Sequence, residues 1–319
     1  LIIPLDINNL RNIVFAGGGA RIFSHFGFMK ALEERNLTDN IVNFAGTSIG
    51  SLTAFCLILG YTVEQLINIF TRIDLLKTVD INADSIFPTA SMVKVPILIG
   101  IMDKLNKGEF KYHQELTYKD SLFYAGSDLL ASLKNNEKVE LSKVIMLMLT
   151  TSDNTASLWL QSLAGTGTRI NQILDSIGYT ATRVNSRTPG REAGRDKFGW
   201  GQTSPKEMAT MFEALANRNL LDTASSEKML RLLGRNYWDE EALSQIPPDV
   251  FVASKNGAVN ASRSEVMYVS GKNARYVFCI CTKNNKDTSW ESNNEGWELA
   301  RKVSKLLWDK LQDYKLGWY

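Results

Sequence analysis

The chain is short of cysteine and shorter still of histidine. Three cysteines (Cys56, Cys279 and Cys281) among 319 residues make no disulfide framework, which would need a small chain with a dense, even set. His25 and His113 are the only histidines. Neither sits at metal-ligand spacing, and a Ser-His-Asp triad would have to use one of these two. An excess of one charge is also missing. Thirty-six basic residues face 34 acidic ones, with no run of five or six cations, so bulk electrostatic binding of nucleic acid or anionic lipid is excluded. Long apolar runs are absent. Thr53 to Tyr61 and Val95 to Met102 fall short of the roughly 18 residues that cross a bilayer. No signal peptide is visible, the first residue is Leu1 rather than Met, and the compartment stays open. There is no internal repeat, low-complexity tract or Gly/Ser/Pro-rich linker.

What is present is the composition of a globular protein, 44% hydrophobic and 22% charged. Residues 12–16 read as a short buried strand, Phe23 to Asn36 as a helix, Ile41 to Ala45 as a strand and Ser51 to Gly60 as a helix. A third helix from Thr62 to Leu76 carries Glu64 and Gln65 in its first turn. This β-α-β-α opening implies parallel strands. Beyond about residue 78 the character changes. Ser91 to Lys107 reads as a helix after the Pro88 turn, followed by a largely helical middle that includes Ser142–Leu149, Thr155–Leu163 and Pro205–Arg218. Strands are expected near Phe251–Lys255, Arg263–Val269 and Tyr276–Lys283, and a last amphipathic helix from about Trp290 to Leu311. The class is α/β or α+β. Cys279 and Cys281 fall in one of the apolar strands and are expected to be buried and structural.

Two constellations carry chemistry. The first is Gly46-Thr47-Ser48-Ile49-Gly50, a G-x-S-x-G between a strand and a helix, where a strained turn exposes a serine at a helix N-terminus. Upstream, Gly17-Gly18-Gly19-Ala20-Arg21 also links a strand to a helix, and such a loop can aim N–H groups at an oxyanion. Together these resemble the patatin-like phospholipases over about residues 10–80. The resemblance implies Ser48 as nucleophile and Gly17, Gly18, Gly19 and Arg21 as the oxyanion loop. Ile22 stands where that family has glycine, and the Asp-Gly that supplies its catalytic aspartate occurs nowhere in the chain. A serine without a base is a poor nucleophile.

The second constellation is Ser91-Met-Val-Lys94, then Ser152-Asp153-Asn154 sixty-one residues on, then Lys255-Asn256-Gly257. Ser91 and Lys94, three apart at a helix start, share one face, and a desolvated lysine beside another cation can lose its proton and act as base. The three motifs, in this order, resemble the penicillin-recognising serine enzymes, the class A β-lactamases and DD-peptidases, over about residues 78–319. Phe87–Ser91 and the Gly199–Met208 stretch add to the likeness. The resemblance implies a sheet with a helical subdomain and no metal or cofactor. It implies Ser91 as the acylated nucleophile, Lys94 as base and Ser152 as proton relay to the leaving nitrogen. Asn154 would hold the substrate amide, Lys255 the substrate carboxylate, and the N–H groups of Ser91 and Ala258 the oxyanion. The implied partner is a small molecule or peptide bearing a carboxylate, and such enzymes are usually periplasmic or secreted. Asn256 replaces a Thr or Ser, with Ser254 or Ser262 as candidates to restore the lost hydroxyl. The family's deacylating glutamate falls near Thr188, and Glu192 is the nearest carboxylate. The two resemblances meet near residue 78, dividing the chain into 1–77 and 78–319. The second lacks the first helix and the sheet strands its family places before S-x-x-K, so the chain reads as a fusion of two partial folds, unless strands 12–16 and 41–45 fill the gap.

Overall fold

The computed structural model describes residues 11–15, 22–46, 49–58, 60–72, 79–126 and 128–312. The chain divides into two compact units, Leu1–Val79 and Asp80–Tyr319. In the first, β1 (Asn12–Phe15), α1 (Ile22–Glu33), β2 (Asn43–Gly46), α2 (Ile49–Ile58) and α3 (Val63–Arg72) follow in the expected order. β1 and β2 are parallel, with Asn12 opposite Asn43 and Phe15 opposite Gly46. Alternation sends Ile13 and Phe15 inward, against Phe26, Met29 and Leu32 of α1, Ala54 of α2 and Val63 and Leu66 of α3. α3 opens on a reciprocal cap. The Gln65 N–H donates to Thr62 Oγ1 (3.2 Å) and the Thr62 N–H to Gln65 Oε1 (2.8 Å).

The second unit starts with β3 (Phe87–Pro88), a 3₁₀ turn at Ala90–Val93 and α4 (Lys94–Asn106). β4 (Glu115–Thr117), β5 (Lys138–Glu140), α5 (Leu141–Thr150), α6 (Asn154–Leu163) and α7 (Thr166–Ser176) follow. Next come β6 (Arg183–Val184), α8 (Glu192–Phe198), β7 (Gly201–Thr203), α9 (Pro205–Ala216) and α10 (Thr223–Leu233). The chain closes with β8 (Phe251–Val259), β9 (Ser262–Ser270), β10 (Arg275–Cys281) and α11 (Glu295–Gln312).

α4 is the axis of this unit. All its residues from Lys94 to Met102 are buried, and those after Lys94 are apolar all round, as a helix enclosed on every side must be. Each large aliphatic contributes roughly 1.5–3 kcal/mol by leaving water. At Gly100 a methyl group would sit 2.8 Å from Ile170 Cγ1 and 3.0 Å from Ala164 Cβ, so α4 and α7 meet at contact distance there. β8, β9 and β10 form an antiparallel sheet in the order β10-β9-β8, its inner residues Val252, Met267, Val269 and Phe278 packed against Trp297 and Ala300 of α11.

The three last strands fall where expected, and β1 pairs with β2 in a sheet of their own among the described residues. One expectation changes. Cys279 and Cys281 are half-buried rather than buried, their sulfurs 4.0 Å apart on one face of β10. That neighbour, together with burial, pushes the Cys279 thiol well above its usual range. Among the described residues no helix is long and apolar enough to cross a membrane.

Candidate active site

Ser91 lies on the 3₁₀ turn between β3 and α4. Thr89 anchors the turn by donating its N–H to Gly201 O (3.0 Å). Ala90, next to Ser91, has φ +45°, a left-handed conformation that costs an L-residue roughly 1–2 kcal/mol. β8 presses on the turn from the other side. A methyl on Gly257 would stand 2.5 Å from Thr89 O and 2.8 Å from the Ser91 nitrogen, so only glycine lets the strand lie this close. The Ser264 hydroxyl, from β9, spans Thr89 O and Gly257 O at 3.3 Å each.

Lys94 is fully buried. Its Nζ lies 2.9 Å from Ser91 Oγ, 2.9 Å from Ser152 Oγ, 2.5 Å from Ser152 O and 3.0 Å from Asn154 Oδ1. Ser152 presents both of its oxygens because it too is left-handed, with φ +61°. Burial and then the charge of Lys255 hold the Lys94 ammonium well below the usual lysine range, with Asp153 opposing. A neutral amine here keeps donors for Ser152 O and Asn154 Oδ1 and turns its lone pair to the Ser91 hydroxyl, the condition for accepting that proton.

Asp153 is the site residue that motif reading passes over. It is fully buried and caps α6, its Oδ1 accepting the Ala156 N–H (2.7 Å). Its Oδ2 accepts the N–H groups of Leu129 (2.7 Å) and Leu130 (2.8 Å). One carboxylate thus fixes the helix that carries Asn154 and the loop beside it. The signal was available, since an aspartate just before a helix is an N-cap. That loop supplies an aromatic rim, with Tyr124 packed edge-on against Trp200 at 5.0 Å. A second aromatic pair, Tyr237 and Trp238, is tied to the residues before Ser152. Their N–H groups reach Thr150 O from the Tyr237 backbone (2.9 Å) and Thr151 O from the Trp238 indole (2.8 Å).

On β8, Lys255 is fully buried and donates to Asn256 O (3.0 Å) and Asn256 Oδ1 (3.1 Å). Burial brings its ammonium down to about 7, against the opposing charge of Glu265. The candidates for a replacement hydroxyl are engaged elsewhere. Ser254 is buried and accepts from Asn236 Nδ2 (3.1 Å), and Ser262 donates to Thr282 O (2.7 Å). Ser91, Lys94, Ser152 and Asn154 therefore meet in one hydrogen-bonded cluster, with Gly257 against the turn that carries Ser91.

Glu192 has a different setting. It is exposed in the first turn of α8 and accepts the Gly190 N–H (3.0 Å). This bond and its own N–H lower its carboxyl, and none of its hydrogen bonds reaches Ser91 or Lys94. Thr188 is buried, its hydroxyl donating to Ser186 O (2.9 Å) in the space Gly167 leaves open. His113 bonds Glu140 at 2.9 Å and His25 packs on Phe15, so neither histidine joins the cluster. Ser48, Gly17, Gly18, Gly19 and Arg21 lie outside the described residues.

A serine hydroxyl bonded to a buried lysine, backed by a second serine, defines a serine hydrolase working by acyl transfer. The chain belongs to the Beta-lactamase enzyme family, whose model matches residues 60–311. The match begins ahead of residue 78 and takes in α3, which packs in the first unit's core. The chain is 22% identical over 246 residues to β-lactamase VEB-1 of Pseudomonas aeruginosa, covering 73% of this chain and 80% of that one. Among solved structures it is similar to the β-lactamase of Sphaerobacter thermophilus (TM-score 0.67, 21% identity, 75% and 89% covered). It is equally similar in fold to a PBP-A mutant in its acyl-enzyme complex with penicillin G (TM-score 0.65, 24% identity, 74% and 85% covered). The chain is a serine hydrolase of the β-lactamase type.

Proposed function

We propose that Ser91 forms an acyl-enzyme with β-lactams or with peptides ending like D-Ala-D-Ala. The single observation that carries this is Lys94 Nζ at 2.9 Å from both Ser91 Oγ and Ser152 Oγ. Lys94 takes the Ser91 proton as Oγ attacks the carbonyl, and Ser152 passes a proton to the departing nitrogen. The N–H groups of Ser91 and Ala258 receive the oxyanion, a role supported by the contact that Gly257 allows between β8 and the Ser91 turn. Asn154 holds the substrate amide, and Lys255 with Asn256 lies where the substrate carboxylate goes. The named relatives are β-lactamases and a penicillin-bound PBP-A, which supports the substrate class.

Glu192 is the carboxylate nearest in sequence to the expected deacylating position, but its exposure and its bond to Gly190 favour slow deacylation. The test is intact-protein mass spectrometry after adding penicillin, with peptide mapping. The expected result is an adduct on Ser91 that outlasts minutes and is absent from Ser91→Ala. No adduct at any time would overturn the reading.

A second reading has one observation in its favour. β2 ends at Gly46 and α2 begins at Ile49, a strand and a helix flanking Ser48 as a nucleophile elbow requires, so lipid acyl hydrolysis through Ser48 in a 1–77 patatin-like segment is the rival. Ester hydrolysis abolished by Ser48→Ala and untouched by Ser91→Ala would establish it.

A further inference from the structure

The two half-buried thiols of β10 take no part in the proposed reaction. Cys279 and Cys281 are two residues apart on one strand, so both point to the same face of the sheet. Their packing agrees. Both lie against the main core, whereas Phe278 and Ile280 pack with α11 on the other face. The two sulfurs are 4.0 Å apart. Neither is in a disulfide, and each residue keeps part of its surface in solvent. β10 is hydrogen-bonded to β9 alone among the described residues, so the strand that carries the pair is an edge.

The spacing separates what such a pair can do. A disulfide would need the sulfurs to close to about 2.05 Å and its Cα atoms to stand no more than about 6.8 Å apart. Alternate residues of a strand are about 6.4–6.8 Å apart, at the limit of that reach, so closing the bridge would strain β10. An ion between the sulfurs asks for the opposite and smaller movement. Two metal–sulfur bonds of about 2.3 Å laid end to end span about 4.6 Å, roughly half an ångström more than the gap present. On an edge strand a small torsion of the two side chains supplies that. The shortage of other ligands selects the ion. Among the described residues no group of three or more His, Cys, Asp or Glu could hold a metal, so the four ligands that zinc takes are not at hand. Soft sulfur ligands select copper(I), and two of them suffice for it in a linear arrangement.

We propose that Cys279 and Cys281 form a two-thiolate site for a soft monovalent metal ion, copper(I), on the open edge of the sheet. Both thiols release their protons to solvent as the two copper–sulfur bonds form, and the ion keeps its oxidation state. The site draws on neither Ser91 nor the residues around it. The third cysteine, Cys56, is half-buried and packs against the first unit's core, and it serves as the internal control.

The experiment titrates the reduced full chain, in the absence of oxygen, with copper(I) held by the coloured chelator bathocuproine disulfonate, and reads the copper withdrawn from the chelator. The wild type and Cys56→Ser are expected to take one ion per chain. Cys279→Ser and Cys281→Ser are each expected to bind it more than about a hundredfold more weakly, beyond the 10–100-fold that losing a supporting contact around a metal site costs. No withdrawal by the wild type, or withdrawal undiminished in either of these two variants, overturns the proposal. Should the variants fail to fold, X-ray absorption on the copper-loaded wild type decides. Two sulfur neighbours on copper are expected, and fewer than two overturns the assignment.

Discussion

Two lysines are fully buried near enough for the charge of one to press on the other, and the difference between them lies in their partners. On the helical side Lys94 is surrounded by four oxygens from Ser91, Ser152 and Asn154, none of them anionic. On the strand side Lys255 has the amide of Asn256 for hydrogen bonds and the carboxylate of Glu265 for charge. Burial lowers both. Only Lys94 is also pressed by a second cation, Lys255 itself. A carboxylate opposes that lowering in each case, Asp153 at Lys94 and Glu265 at Lys255, so the second cation and the ring of neutral oxygens are what set Lys94 apart as a base. Like residues in like depth are assigned different chemistry by what they touch.

The comparison can be broken at its strongest point by Lys94→Met, which removes the proton acceptor and should lower penicillin acylation by about 10²–10⁴. Lys255→Met should cost less and chiefly for anionic substrates, as a loss of affinity more than of the rate at saturation. Gly257→Ala tests whether the two sides must touch. Its methyl would enter the space of Thr89 O and the Ser91 nitrogen, and acylation should fall by about 10², with the thermal midpoint separating this from unfolding.

The pH dependence sharpens the contrast. Lys94 works as the free amine, so acylation of an uncharged ester should fall as pH drops, at a pH well below that at which an ordinary lysine takes up its proton. Stability moves with the other pair. Glu265 is raised to about 7 from 4.5, so between these values the folded chain holds a proton the unfolded chain has released. Its contribution is complete below 4.5 and is lost as pH rises to 7, on the order of 3 kcal/mol. Lys255, lowered to about 7 from 10.5, has the opposite sign, adding stability as pH rises from 7. Thermal melts from pH 4 to 10 should dip near 7 in the wild type and lose the acid-side fall in Glu265→Gln. The smallest effect belongs to Glu192→Gln, which should alter the lifetime of the acyl-enzyme by less than about twofold if the exposed carboxylate plays no part.

Much of this was legible in the sequence, for local reasons. The apolar run after Ser91 marked α4, the Thr62 cap marked α3, and three short motifs in order brought Ser91, Lys94, Ser152, Asn154 and Lys255 to one family. What escaped depends on contacts distant in sequence. Nothing near Ala90 signals its positive φ, in a turn that β8 approaches closely at Gly257. Glu265 follows Ser262-Arg-Ser264 in β9, and nothing in that polar run signals that its carboxyl is fully buried. Ser254 and Ser262 had the right chemistry nearby, but strand alternation and the β9–β10 edge gave their hydroxyls other partners. The gap before S-x-x-K was visible as missing strands, and the sheet indeed ends at β10 among the described residues.

Asp153 carries one more consequence. Its carboxylate holds the amides of Leu129, Leu130 and Ala156, while its own N–H goes to Leu147 O at the end of α5. The 129–130 loop and the start of α6 are thereby closed on one buried side chain in the middle of a catalytic motif, and its backbone is tied to α5. The Ala156 amide, buried under this cap, should exchange slowly in deuterated buffer, and faster in Asp153→Ala. The start of α6, which carries Asn154, is thereby held against local opening.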